Sequence, residues 1–426
     1  SKNNIFTRKI ILEKIFIENF GGIKKMDFEF NSINILIGPQ GSGKSITVKL
    51  LYFFKNFTNE IVKSIESQES KRDLDKKQKD TFITFFPKES WSKDDFSISY
   101  KFNETEIFIK KTNSKLSFDY SDNLKKIQNK GKKIYNDEKI KLTENRKIPS
   151  FRIKREINEK IQNCIKNDLG DIATYDQFFI PAGRSFFANI QNSIFSFLSD
   201  NRSLDPFLIE FGSFYENLKS FYNDILSNEK SDKEFDELIS QILNSNYIRE
   251  KEKDFLVHKD SRKVNLTNAS SGQQETLPLM IILKSLNYIS SRGGGFTLYI
   301  EEPEAHLFPT AQKRIIQLLS RTFNNNNNKK FQIFVTTHSP YILSSFNNLI
   351  YAGNSTRDID LVAKIVPTKE QLKSEYFRVY SIRNNEKIDL LNNENKLISQ
   401  SILDSVSEEI SLEFDKLLDI EFQNEL

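Results

Sequence analysis

Gly38-Pro39-Gln40-Gly41-Ser42-Gly43-Lys44-Ser45 reads G-x-x-x-x-G-K-S, set between the apolar run Ile33 to Ile37 and a segment that reads as helix from about Lys44 to Phe57. A buried strand before and a helix after is the context that makes such a run a phosphate-binding loop. The glycines let backbone N–H groups wrap phosphate oxygens, and the helix N-terminus adds positive potential. Lys44 is then placed to reach β- and γ-phosphates, and Ser45 to bind Mg²⁺. The whole loop, with Ile46 directly behind it, is the expected nucleotide-contacting segment.

Three further motifs follow along the chain. Tyr299-Ile300-Glu301-Glu302 closes an apolar run with two carboxylates and is followed by Pro303. Beside a phosphate loop, Glu301 is expected to hold Mg²⁺ through water, and Glu302 to orient or polarise the attacking water. Ala269-Ser270-Ser271-Gly272-Gln273-Gln274-Glu275 precedes an apolar helix. Alone it reads as a serine-rich helix cap; in this company Ser270, Ser271, Gly272 and Gln273 suit a γ-phosphate at a helix N-terminus. Thr336-Thr337-His338-Ser339-Pro340 ends another apolar run. A lone histidine is more often structural, but at this position His338 reads as a γ-phosphate contact. Glu302, His338 and Lys44 are the expected catalytic groups.

These elements occur in the order found in ABC ATPases. Ile300 to Pro309 (I-E-E-P-E-A-H-L-F-P), S-S-G-Q-Q-E, T-T-H-S-P and F-I-P-A-G-R-S (Phe179 to Ser185) resemble the AAA_15/AAA_21 and OLD-like ATPases, on the branch built like SMC and RecF proteins. The resemblance implies an α/β ABC ATPase head with a mixed, largely parallel core sheet, an antiparallel β-meander subdomain and helical insertions. It implies ATP and Mg²⁺ as cofactors, and a homodimer in which the serine-glycine turn of one protomer contacts ATP held by the other. Stand-alone members resemble ATPase subunits of bacterial anti-phage systems such as Septu, PARIS and retrons, where a nuclease or toxin effector is a separate chain. In the family the Glu304–His306 stretch lies at the dimer interface; local turn hydrogen bonding is an equal alternative. The family's Q-loop glutamine has no clean counterpart: Gln177 precedes its strand rather than following it, and Arg184 is the other residue placed near the nucleotide.

Composition sets bounds. The 426 residues leave room for one large α/β domain with insertions or two modest domains. Hydrophobic residues make up 38% and charged residues 28%, with 37 Phe as core filler. The net charge of +4 does not announce a nucleic-acid binder. A single cysteine, Cys164, excludes an internal disulfide or a cysteine-based zinc site. Three histidines, His258, His306 and His338, are too few for histidine-rich nuclease sites. Asp358-Ile359-Asp360 is a lone D-x-D, and fewer residues follow His338 than a TOPRIM nuclease domain occupies, so no nuclease is expected here. No apolar run approaches the roughly 18 residues that span a bilayer, so a cytoplasmic, membrane-free location is expected.

The expected layout is a core N-terminal part at 1–57, a meander and helical arm at 58–176, the remaining core at 177–352 and an extension at 353–426. Phe96, Ile98, Tyr100 and Phe102, then Ile107 and Ile109, then Leu116, Phe118 and Tyr120 alternate with polar residues. Asn103-Glu104 and Asn113-Ser114 are the turns between them. Lys251 to Asn265 reads as a hairpin. Basic residues at 125–126, 130–133 and 152–155 could track nucleic-acid phosphates, the rival reading being a DNA-repair ATPase of RecF type; a solvated helix face is the plainer view. Ile402, Val406 and Ile410 share one face of an acidic amphipathic segment, either an ordinary terminal helix or a docking element for an effector.

Overall fold

The computed structural model describes residues 13–144, 150–190, 204–228, 232–289, 295–325, 330–399 and 412. Its centre is a six-stranded sheet. Strands β3 (Ile33–Ile37), β7 (Asp176–Ile180), β11 (Phe296–Glu301), β12 (Phe331–Thr337), β13 (Phe377–Arg383) and β14 (Glu386–Asp389) lie in the order β14-β13-β3-β12-β11-β7. All neighbours run parallel except the β13–β14 hairpin. Strands buried on both faces read as unbroken apolar runs rather than alternations, and β3, β11 and β12 are buried at every residue.

The two faces carry different layers. Leu36, Tyr299, Phe334 and Tyr380 face helix α1 (Lys44–Glu66) and a second sheet. That sheet is antiparallel: β1 (Glu13–Phe20), β2 (Ile23–Phe30), β4 (Phe96–Phe102), β5 (Thr105–Thr112) and β6 (Lys115–Tyr120), in the order β2-β1-β4-β5-β6. Ile35, Leu298, Ile300, Val335 and Val379 face the other way. There they meet α6 (Pro206–Asn228), α7 (Lys233–Leu243), α8 (Ser271–Ile289), α9 (Pro309–Asn325) and α10 (Pro340–Asn354). Helices α2 (Lys71–Phe85), α3 (Asp122–Glu144) and α4 (Ser150–Leu169) form the inserted arm, α5 (Phe186–Ile190) follows β7, and α11 (Ile359–Ile365) precedes β13.

A buried polar group joins the layers. Glu13 Oε1 accepts from Lys55 and Tyr100, and Glu13 Oε2 accepts from Gln332 Nε2 at 2.7 Å. Lys55 Nζ also donates to Gln332 Oε1 at 2.6 Å, so the charges are paired and their remaining lone pairs used. Desolvation lowers the Lys55 pKa, and the Glu13 carboxylate works against that shift.

The meander forms with the expected turns, Asn103, Asn113 and Ser114 taking the left-handed conformation that asparagine tolerates best. It shares a sheet with β1 and β2 rather than standing apart. Two expectations are corrected and a third is extended. The core does not end at 352: β13 pairs in parallel with β3, next to the phosphate loop. The hairpin expected at Lys251 to Asn265 forms, β9 (Lys253–Val257) pairing antiparallel with β10 (Lys263–Asn265), and β8 (Asn246–Glu250) extends it to a three-stranded ribbon through a turn at Lys251-Glu252. The first helix runs to Glu66 instead of Phe57, because Ile61, Val62 and Ile65 continue its buried stripe. The amphipathic segment around Ile402 to Ile410 lies outside the described residues. Among the described residues no helix is long and apolar enough to cross a membrane.

Candidate functional site

The carboxyl ends of β3, β12 and β11 lie side by side: Ile37 pairs with Thr337, and Thr336 with Glu301. Loops leaving that edge of a parallel sheet are where ligands bind in open α/β folds. The loop after β3 is Gly38 to Ser45, and two glycines are required there. Gly43 sits at φ 101° as the residue before α1, in a region L-residues avoid. A Cβ on Gly38 would lie 2.1 Å from the carbonyl oxygen of Ile382, so the loop is seated directly against β13. Pro39, Gln40, Gly41 and Ser45 are exposed, while Ser42 and Ile46 are half-buried.

Lys44 is buried and folds back over the loop. Its Nζ donates to Gly38 O at 2.8 Å and Pro39 O at 2.7 Å, with Ser42 Oγ at 3.5 Å. Burial pulls its pKa below the ordinary lysine value, opposed by the carboxylates of Glu302, Glu304 and Glu301. Those three acids therefore act electrostatically on the same ammonium.

Glu301 is the last residue of β11 and is buried. Its Oε2 accepts from Ala182 N at 3.3 Å, while Oε1 is buried without a hydrogen-bond partner. A buried carboxylate oxygen without a donor suits a hard cation such as Mg²⁺, which prefers oxygen ligands. Among the described residues no group of three or more His, Cys, Asp or Glu is arranged to hold a metal by itself. A cation here would draw its other ligands from Ser45, phosphate and water.

Glu302 takes a left-handed conformation, φ 44°. Such a residue costs about 1–3 kcal/mol and persists only where its surroundings hold it. Its N–H donates to Thr336 O at 2.9 Å, and its carbonyl accepts from Arg184 Nη2 at 3.0 Å. The turn aims its side chain at β12: Glu302 Oε1 lies 3.1 Å from His338 Nε2. A carboxylate only accepts, so this contact places a proton on Nε2. His338 is itself anchored, its N–H donating to Glu304 Oε1 at 2.7 Å, where Thr337 Oγ1 also donates. Glu304 thus makes the local hydrogen bonds that were one of its two expected roles. His306 is exposed at φ 60° on the same turn.

The serine-glycine turn stands on the far side of this acidic turn. Ser270 and Gln273 form a reciprocal cap on α8: Ser270 N and Oγ both donate to Gln273 Oε1 at 3.1 Å, and Gln273 N donates to Ser270 Oγ at 3.4 Å. Ser270 and Ser271 are exposed. A Cβ on Gly272 would meet the carbonyl oxygen of His306 at 2.8 Å, so this glycine is required by a close approach.

Arg184 is expected near the nucleotide, but spacing does not reveal its partner Glu275, with which it joins these parts. Arg184 and Glu275 are each only 1% exposed, with Arg184 Nη2 3.3 Å from Glu275 Oε1. Gln177, the other expected contact, lies in β7, where Oε1 accepts from Tyr299 OH at 2.8 Å and Nε2 donates to Tyr175 O at 2.7 Å. It pairs with Thr297, toward the amino end of β11 and away from Glu301. His258 is placed in the β9–β10 connection, its N–H donating to Arg262 O at 2.9 Å.

A phosphate loop at the carboxyl edge of a parallel sheet, faced by two strand-end carboxylates and a histidine, defines an α/β ATPase head of the ABC type. The chain belongs to the AAA_21 family, described as "AAA domain, putative AbiEii toxin, Type IV TA system", whose profile matches residues 33–344. It is similar to Endonuclease GajA of Bacillus cereus (strain HuB5-5), 24% identical over 316 residues, 65% of this chain and 43% of that protein. It is also similar to the Retron Ec83 probable ATPase of Escherichia coli, 29% identical over 101 residues, 22% of this chain and 18% of that protein. The chain thus spans less than half the length of either relative. Among solved structures, the SMC head domain from Thermotoga maritima aligns at 10% identity and TM-score 0.36, covering 89% of this chain and 97% of that one. The Smc head domain bound to the C-terminal domain of ScpA from Pyrococcus furiosus aligns at 12% identity and TM-score 0.37, covering 94% and 99%.

Proposed function

We propose that this chain binds and slowly hydrolyses ATP as a switch, and that two copies close around the nucleotide. The contact between Glu302 Oε1 and His338 Nε2 carries the reading, because it puts a carboxylate and a donor at the edge where Lys44 stands. In this reading Gly38 to Ile46 bind the triphosphate, with Lys44 leaving its loop carbonyls for phosphate oxygens. Ser45 and Glu301 hold Mg²⁺, which supplies charge neutralisation to the phosphates. Glu302 takes a proton from the attacking water, and His338 Nε2–H reports the γ-phosphate. Ser270, Ser271, Gly272 and Gln273 of the partner protomer close the site from the other side. The proposed core combines β1 to β3 and α1 with the central sheet through the β13–β14 hairpin, the meander joining the β1–β2 sheet and α2 to α4 forming the arm. By likeness to the defence-system relatives, the switch would sense infection in the cytoplasm and control a separate nuclease or toxin effector.

The rival reading as a DNA-repair ATPase receives less support from the arm. Lys125 pairs with Asp122 at 3.1 Å, Lys130 with Asp168 at 2.5 Å, Arg152 with Glu156 at 3.4 Å and Arg155 with Glu159 at 2.9 Å. Local carboxylates already offset much of the positive field a phosphate backbone would seek. The test of the ATPase reading is Glu302→Gln. ATP affinity should stay within a few-fold while turnover drops by roughly 10²–10⁴, the range for a lost general base. Equal turnover in the two proteins would remove the hydrolase reading.

A further inference from the structure

Arg184 and Glu275 form a charged pair sealed beside the Glu301-Glu302 turn, and neither has a role in the chemistry above. Arg184 spends its donors on backbone. Nε donates to Glu275 O at 2.9 Å, Nη1 to Pro181 O at 2.8 Å and Glu301 O at 2.7 Å, and Nη2 to Glu302 O at 3.0 Å. Glu275 answers with both oxygens. Oε1 accepts from Gly183 N and Arg184 N at 3.0 Å each, and Oε2 from Ser185 N at 2.7 Å. Burial lowers the Arg184 pKa, opposed first by Glu275 and then by Glu301, Glu304 and Glu302. The planar fork of a guanidinium can bridge several fixed carbonyls at once, which a lysine ammonium cannot reproduce.

What the fork grips is specific. The carbonyls of Glu301 and Glu302 belong to the turn where the backbone turns left-handed, and that conformation requires outside support. Glu275 lies on α8, close behind the capped serine-glycine turn. We propose that Arg184 and Glu275 are positioning residues: the pair holds the Glu301-Glu302 turn in its strained form, in register with the Ser270–Gly272 turn of the same protomer. This rests on the ATPase reading and deepens it. Within one chain the pair would tie the carboxylates serving its own nucleotide to the turn serving its partner's. The guanidinium is engaged by protein groups, so its loss should spare ATP binding and damage turnover.

The experiment uses the full chain and two variants. Arg184→Lys keeps the buried charge balanced but cannot fork. Arg184→Met combined with Glu275→Gln removes both charges together, so no unpaired buried charge remains, and leaves an amide oxygen for the Gly183–Ser185 N–H groups. ATP binding, thermal unfolding and steady-state turnover are measured for each. The expected result is wild-type ATP affinity and KM with kcat lowered about 100-fold, the scale set by an ångström of misplacement. A folded variant whose kcat stays within threefold of wild type would overturn the proposal, whatever its melting temperature. Failure of both variants to fold would overturn it too, marking the pair as a structural staple. A wild-type chain that binds ATP without turning it over would sink the hydrolase reading instead, and with it this role.

Discussion

The phosphate-loop half of the site and the serine-glycine half use their polar groups in opposite ways. In the first, Lys44 is buried against two carbonyls, Glu302 meets His338, and Glu304 pins the His338 backbone, all within one chain. In the second, Ser270 and Gln273 satisfy one another, while the Ser270 and Ser271 side chains stand exposed. One half is assembled for chemistry by its own fold. The other is a capped helix end whose outward serines are exposed. In the proposed dimer, a site divided this way would make hydrolysis a report on assembly.

That division can be broken from either side. The largest effect is expected from Lys44→Ala, which removes the ammonium on which Glu302, Glu304 and Glu301 act; ATP affinity by calorimetry should fall about 100-fold, as for the loss of a strong charge-assisted contact. Unchanged affinity would mean that the loop is not the nucleotide site. His338→Ala should keep affinity but lower kcat roughly 10²-fold, the scale for one lost donor at a developing charge. A change in KM alone would make His338 a binding contact only. The smallest effect is expected from reversing Arg152 and Arg155 to Glu together. Both are exposed and already paired along α4, so turnover with and without DNA should stay within about twofold, surface pairs being worth little. A loss of DNA-stimulated turnover would revive the repair reading.

How much of this could be read beforehand differs between the same two halves. The phosphate loop, the β11 carboxylates and His338 are local strings flanked by apolar strands, and the fold brings them to one edge of the central sheet. The meander was legible because Asn103, Asn113 and Ser114 are turn formers between alternating runs. The Lys251-Glu252 turn was not, since a Lys-Glu pair gives little warning that both residues adopt positive φ. Strand β13 carried a usable signal: an aromatic and β-branched run, Phe377 to Arg383, stops at Asn384-Asn385, both left-handed as a tight hairpin requires. The Arg184–Glu275 pair had no such signal, because it joins residues far apart in sequence and its partners are mostly backbone atoms.

The most direct test of a site shared between two chains is complementation. Ser271→Glu places an acid in the first turn of α8, which suits the helix dipole and spares the fold, yet sets negative charge where a partner's phosphate would come. Lys44→Ala disables the phosphate loop and leaves the serine-glycine turn intact. Each variant alone should be inactive. Mixed, they should regain ATP turnover, because one of the two composite sites then has both halves unaltered. A mixture no more active than the sum of its parts would contradict the shared site and leave a nucleotide served by one chain alone.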